Sequence, residues 1–203
     1  MLARCSEDPC ASPDDKPAAC LAGPATVAGL DTRVQFRFDR YGRYSLAFDA
    51  SVPLAEGYDG ATTWKLGTSG QVATVEGVEK ERSHALAWVL SGYWLSPLAP
   101  LRIEPGVARG GRVELHLFVE DGRQPFALEI DATTWRPCRM VPLDGSSRFR
   151  ATLHGSVREW PGSPRRVVVS SNGVQQFTMT FTEFERLDDI EASLAPPAYL
   201  SRG

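Results

Sequence analysis

The sequence predicts a mainly β protein, an antiparallel sandwich or barrel whose sheet holds a single helix. Three observations predict it. Short segments alternate apolar and polar residues with period two, the pattern of strands with one face on a core and one in water. About nine or ten such segments follow one another at spacings of roughly 8–12 residues, separated by turn signals. One segment, ERSHALAWVLSGYWL, has helical spacing instead and is apolar on every side at its centre. Such a helix must be covered on more than one face, so the sheet is expected to curl and hold it in its concavity.

The elements follow in chain order. TRVQFRFDR sets Val34, Phe36 and Phe38 on one face and Arg33, Gln35, Arg37 and Asp39 on the other. Tyr41-Gly42 marks a turn, and RYSLAFDA continues with Tyr44, Leu46 and Phe48 on one face, which completes a hairpin. In EGYDGATTWKLG, Asp59-Gly60 reads as a tight hairpin turn flanked by Tyr58 and Trp64. Trp64 is expected to point toward the helix. Val72 and Val75 mark a weaker strand. In the helix, Leu86, Val89, Leu90 and Tyr93 share a stripe that Ala85 and Trp88 widen; Gly92 is expected to cap it and Pro97 to stop it. Val113, Leu115, Leu117 and Val119, then Phe126, Leu128 and Ile130, form two strands around Asp121-Gly122. Phe149, Ala151 and Leu153 mark another. A last hairpin turns at Asn172-Gly173, with Phe177, Met179 and Phe181 on one face.

A chain of 203 residues is expected to form one domain. It buries about 70% of its unfolded surface and needs neither metal nor disulfide to fold. Residues 1–25 are rich in Pro, Asp, Ala and Cys without periodicity, which predicts a disordered or loosely attached arm. The folded domain is expected over 26–187, with a polar tail over 188–203.

Composition excludes several classes. With 22 basic and 25 acidic residues the net charge is −3, so there is no basic footprint for nucleic acid. The most apolar window, His84–Leu101, is interrupted by Ser91-Gly92, Ser96-Pro97 and Pro100, which argues against a transmembrane segment. MLARCSEDPC lacks the apolar region of a signal peptide; either the protein is cytoplasmic or an export signal lies upstream.

No motif calls for a metal or cofactor. Cys5, Cys10, Cys20 and Cys138 fit no zinc spacing. They are read as plain thiols or as one structural disulfide, either Cys5–Cys10 or one of those three with Cys138. His84, His116 and His154 form no H-x-H or H-x-x-x-H pair. There is no G-x-S-x-G, no D-[TS]-G, no P-loop and no G-x-G-x-x-G. Glu56 and Asp59 are the nearest approach to a catalytic carboxylate pair. Glu114, Glu120, Asp121 and Glu129 fit a solvated sheet face. A non-enzymatic role is the reading that remains.

The aromatic residues point to an interior. Trp88 and Trp94 on the helix, and Trp64, Trp135 and Trp160 elsewhere, either fill a core or line an apolar cavity for a lipid or acyl chain. Both readings want the same residue types. The cavity reading names Leu86, Trp88, Val89 and Trp94 from the helix. From the sheet it names Trp64, Leu115, Leu117, Phe126, Phe177 and Phe181 as ligand-binding residues.

Three short motifs carry a family resemblance. Tyr58-Asp59-Gly60 followed by Trp64 resembles the DG-k-t-x-W hairpin of the LolA/LolB-like outer-membrane lipoprotein carrier superfamily. Ile130-Asp131-Ala132-Thr133-Thr134-Trp135-Arg136-Pro137 resembles the strand end of the same superfamily. Trp88-Val89-Leu90-Ser91-Gly92-Tyr93-Trp94-Leu95 is similar to a helix of LolA-like domains that precede retroviral-type aspartic proteases in bacterial envelope proteins. No protease motif follows here. The resemblance spans about residues 26–187. It implies an open, incomplete antiparallel β-barrel wrapping one central α-helix, in the periplasm or cell envelope. It implies a non-catalytic module that holds a lipid, acyl chain or lipidated protein. The alternative is a structural or protein-interaction domain with a filled core, once attached to an aspartic-protease-like partner.

Overall fold

The structure, a computed structural model, describes residues 17–49, 54–119, 122–145, 148–160 and 162–195. The described residues open with three antiparallel strands, β1 (Ala18–Val27), β2 (Leu30–Asp39) and β3 (Tyr44–Phe48). Next come β4 (Leu54–Tyr58), β5 (Thr63–Leu66) and the short β6 (Val72–Thr74). Helix α1 spans Gly77–Ser91 and ends in a 3-10 turn, Tyr93–Leu95. A meander follows: β7 (Leu101–Arg109), β8 (Arg112–Val119), β9 (Phe126–Asp131), β10 (Pro137–Pro142) and β11 (Arg150–His154). The last elements are β12 (Arg166–Ser171), β13 (Val174–Thr180), β14 (Glu183–Leu187) and a short helix α2 (Glu191–Leu194).

The fourteen strands of the described residues belong to one antiparallel sheet ordered β6-β5-β4-β3-β2-β1-β13-β12-β11-β10-β9-β8-β7, with β14 beside β1. The sheet is open: β6 and β7 are its edges, and α1 connects them. Its curl shows where Phe48 of β3 meets Phe177 of β13. Two strands lie between them, roughly 14 Å of flat sheet at 4.7–4.9 Å per strand, yet their ring centroids are 5.6 Å apart. The expected open antiparallel sheet around one central helix is present, with more strands than the alternating segments alone mark.

Helix α1 is buried without a break from Ser83 to Ser91. Its partners come from widely separated parts of the sheet. His84 packs against Tyr44 and Tyr58, and its Nε2 lies 2.8 Å from Thr63 Oγ1. Trp88 Nε1 donates to Gly42 O in the β2–β3 turn (2.9 Å). Glu81 Oε2 accepts from the backbone N–H of Gln124 (2.7 Å). Trp160 Nε1 donates to Ser91 O (2.7 Å). Gly92 ends the helix as expected, at φ 78° with its N–H turned to Val89 O.

The arm expected over residues 1–25 is corrected in its described part. Residues 18–25 belong to β1, paired with β2 along its length and with β14 and then β13 on its other side. The change of partner falls at Gly23, where a Cβ would lie 2.1 Å from Thr180 O. β1 is buried on both faces from Ala18 to Ala22, so it shows no alternation to read. The polar tail is corrected likewise: Ile190 and Leu194 are buried against Ala18 and Leu187. Residues 1–16, with Cys5 and Cys10, lie outside the described residues. Among the described residues Cys20 and Cys138 are free thiols and do not bridge each other. Burial raises the Cys20 thiol pKa, against the nearby Arg37.

Trp64 does not point toward α1. Partners across a ladder share a face, and Tyr58 pairs with Thr63, which leaves Trp64 opposite Gly57 on the other side of the sheet. There it is buried, and its Nε1 donates to Leu194 O (2.7 Å), fastening α2 to the convex face. A Cβ on Gly57 would lie 2.6 Å from Trp64 Cζ2 and 2.9 Å from Tyr44 O. Gly57→Ala is therefore expected to cost about 1–3 kcal/mol, the range for overpacking. A melting temperature equal to the wild type would contradict this packing.

His84 gives a pH signature. Burial, helped by Lys80, lowers its pKa from 6.5 to about 4. In the unfolded chain the imidazole binds a proton first, so folding loses stability as pH falls from 6.5 toward 4 and gains it as pH rises. The full difference is about 3 kcal/mol. Urea unfolding of wild type and His84→Gln above and below this window checks it. The variant is expected to lose that part of the slope; parallel curves would contradict a neutral, buried His84.

Candidate functional site

Where the sheet curls at the free ends of β1 and β3, its packing against α1 leaves a cleft of ≈ 400 Å³. One wall is built from strands β3, β4 and β5. Tyr44, Leu46 and Phe48 alternate onto the concave face, and the register sets Leu46 opposite Glu56 and Phe48 opposite Leu54. The far wall is Phe149, Val169 of β12 and Phe177 of β13. The third side is α1, through Arg82, Ser83 and Leu86. Small residues, Ala28, Ala55, Ser83 and Ser171, line the gap where large ones fill the rest of the interior.

The charged groups gather on the β4–β5 side. Glu56 Oε2 accepts from Ser83 Oγ (3.2 Å). Burial raises the Glu56 carboxyl pKa, opposed by Lys65, the Ser83 hydrogen bond and Arg82 and reinforced by Glu79. Lys65 pairs with Glu56 across the ladder, and its Nζ reaches Glu79 Oε1 at 2.8 Å. Arg82 NH2 is 3.7 Å from the same Glu79 oxygen, and its guanidinium lies over the Phe149 ring, 5.5 Å from the centroid. The Lys65 hydrogen bond holds the Glu79 carboxyl below its usual range.

Among the expected ligand-binding residues, Leu86 and Phe177 line this cleft. Trp88, Val89, Trp94, Leu115, Leu117, Phe126 and Phe181 are buried in the hydrophobic cluster around α1 and are not among the residues that line this cleft. Trp64 is on the opposite face. The residues that sequence reasoning missed are Leu46, Phe48, Leu54 and Phe149, and the charged Glu56, Lys65 and Arg82. Alternation already places Leu46 and Phe48 on one face. The cross-strand register, absent from alternation alone, is what brings Glu56 beside them.

Glu56 and Asp59 do not form an acid–base pair. Glu56 faces the cleft, whereas Asp59 sits in the β4–β5 turn. Its Oδ1 accepts from the N–H groups of Ala61 and Thr62 (2.8 and 2.7 Å), which lower its pKa. Gly60, at φ 104°, supplies the turn's positive φ. Asp131 plays the same part in the β9–β10 turn, accepting from Thr133 and Thr134. His116 pairs with Glu114 on a strand, apart from the cleft. Among the described residues no three His, Cys, Asp or Glu side chains converge as a metal site, and no helix is long and apolar enough to cross a membrane.

Neither a family model nor a curated protein matches the sequence. Solved structures do resemble the fold. A LolA superfamily protein from Nitrosomonas europaea is similar over 91% of this chain and 92% of its own, at 11% identity and a TM-score of 0.55. A DUF1329 family protein from Desulfovibrio piger is similar over 99% of this chain and 93% of its own, at 10% identity and a TM-score of 0.53. The fold of this chain is thus similar to that of a LolA superfamily protein, the fold that its motifs implied.

Proposed function

We propose that the protein is a non-catalytic binding module of the bacterial cell envelope that holds an acyl chain, from a lipid or a lipidated protein, in the cleft between sheet and helix. The observation that carries this reading is the cleft itself: an opening of ≈ 400 Å³ walled by Leu46, Phe48, Leu86, Phe149 and Phe177. Its size falls at the low end of small-ligand pockets, about 300–1,000 Å³, which suits one chain better than several. The LolA-like fold supports the reading, because one similar structure is a LolA superfamily protein. The second reading, a structural or interaction domain, has its own support. Seven of the residues expected to bind a ligand belong to the buried hydrophobic cluster and are not among those that line this cleft.

Binding of a neutral apolar fluorophore, Nile red, separates the two. Wild type is expected to bind it, and Leu86→Trp to weaken binding by about tenfold or more by occupying the space. Leu54→Trp, at a half-buried position on the same wall, is the control should Leu86→Trp unfold. Absence of binding by wild type, or equal binding by folded variants, supports the filled-core reading.

A further inference from the structure

The charges of the cleft specify the head group of what enters it. Glu79, Arg82, Ser83 and Leu86 recur at i, i+3, i+4 and i+7 and so share one face of α1. Along that face the polar side chains come first and the apolar wall follows one turn later. A guanidinium carries five N–H donors in a fixed fork. Among the described residues, Arg82 has one ion-pair partner, Glu79 at 3.7 Å, and a stacking contact with Phe149. Its side chain is 34% exposed, at the boundary between the cleft and water. Lys65 stands on the strand opposite and shares the same Glu79 carboxylate. At that rim Lys65 takes the Glu79 carboxylate at 2.8 Å, while Arg82 stays beyond hydrogen-bond distance of it. Among the described residues the Arg82 fork makes no hydrogen bond, and it stands at the rim of an apolar space.

We propose that the cleft takes a single-chain amphiphile with an anionic head, a carboxylate or a phosphate, which accepts hydrogen bonds from Arg82 beside Lys65 while its chain lies along Leu86 toward Phe177. Planar, paired donors favour such oxyanions over a neutral hydroxyl. A cationic head would meet Arg82 and Lys65 and be repelled. The inference rests on the cleft being an acyl-chain site and adds the chemistry of its polar end.

The test titrates the full chain, at low salt, with dodecanoate, dodecyl phosphate, dodecanol and dodecyltrimethylammonium, each displacing Nile red. At least one anion is expected to bind about tenfold tighter than dodecanol, as a charge-assisted contact gives. Arg82→Gln is expected to erase that difference, and Arg82→Lys to keep part of it. A preference for dodecanoate points to a free fatty acid, one for dodecyl phosphate to a single-chain lysophospholipid. Should Arg82→Gln fail to fold, Lys65→Gln is expected to reduce the same difference. Equal affinity for anion and alcohol, or a preference for the ammonium, overturns the anionic head and leaves the acyl-chain site standing. No binding by any of the four overturns both.

Discussion

The rest of the structure depends on one constraint: helix α1 is apolar on every side and has to be enclosed. Nine consecutive residues from Ser83 to Ser91 are buried, more than one face of a flat sheet can cover. Burying Leu86, Trp88, Val89 and Leu90 is worth roughly 1.5–3 kcal/mol each in transfer free energy, which favours a sheet that wraps. The polar groups on the helix fix how it sits. Glu81, His84, Trp88 and Ser91 are satisfied from the β8–β9 connection, β5, the β2–β3 turn and the segment before β12, in that order. A rotation of α1 would strand all four, and each buried polar group left unpaired costs about 1–3 kcal/mol.

The same helix keeps the barrel open. It runs between β6 and β7, the two edges, so the segment that fills the concavity also separates the strands that would have to pair to close it. Both edges are blunted: β6 has three residues, and β7 carries Pro105 and a register shift before Ala108. The cleft is what remains where the filling stops. Its polar rim arises from register, because Glu56 and Lys65 pair across β4–β5 and face the helix turn that carries Glu79, Arg82 and Ser83.

Much of this is legible in the chain. Strands with one wet face announce themselves, as in β2, where Val34, Phe36 and Phe38 turn inward. So do the enclosed helix and its Gly92 stop. What is not legible has physical reasons. β1 lies in the middle of the sheet with α2 over one end, so Ala18–Ala22 are buried on both sides and show no period. The α2 segment anchors through two apolar residues, Ile190 and Leu194, too few to form a pattern. Trp64 falls on the face opposite to the expected one because parity does not carry across a turn; the pairing of Tyr58 with Thr63 decides it. The boundary between buried core and cleft is beyond the sequence, since Phe126 in the core and Phe177 in the cleft are the same residue type in similar strands.

Amide hydrogen exchange of α1 measures the enclosing of the helix most directly. If the sheet is built around it, the amides of Leu86–Leu90 exchange only through global unfolding, at the same free energy as the slowest amides of β2 and β9. If they open at a clearly lower free energy while the strands stay protected, α1 is a detachable lid over an independently stable sheet, and enclosure of the helix is not what shapes the fold.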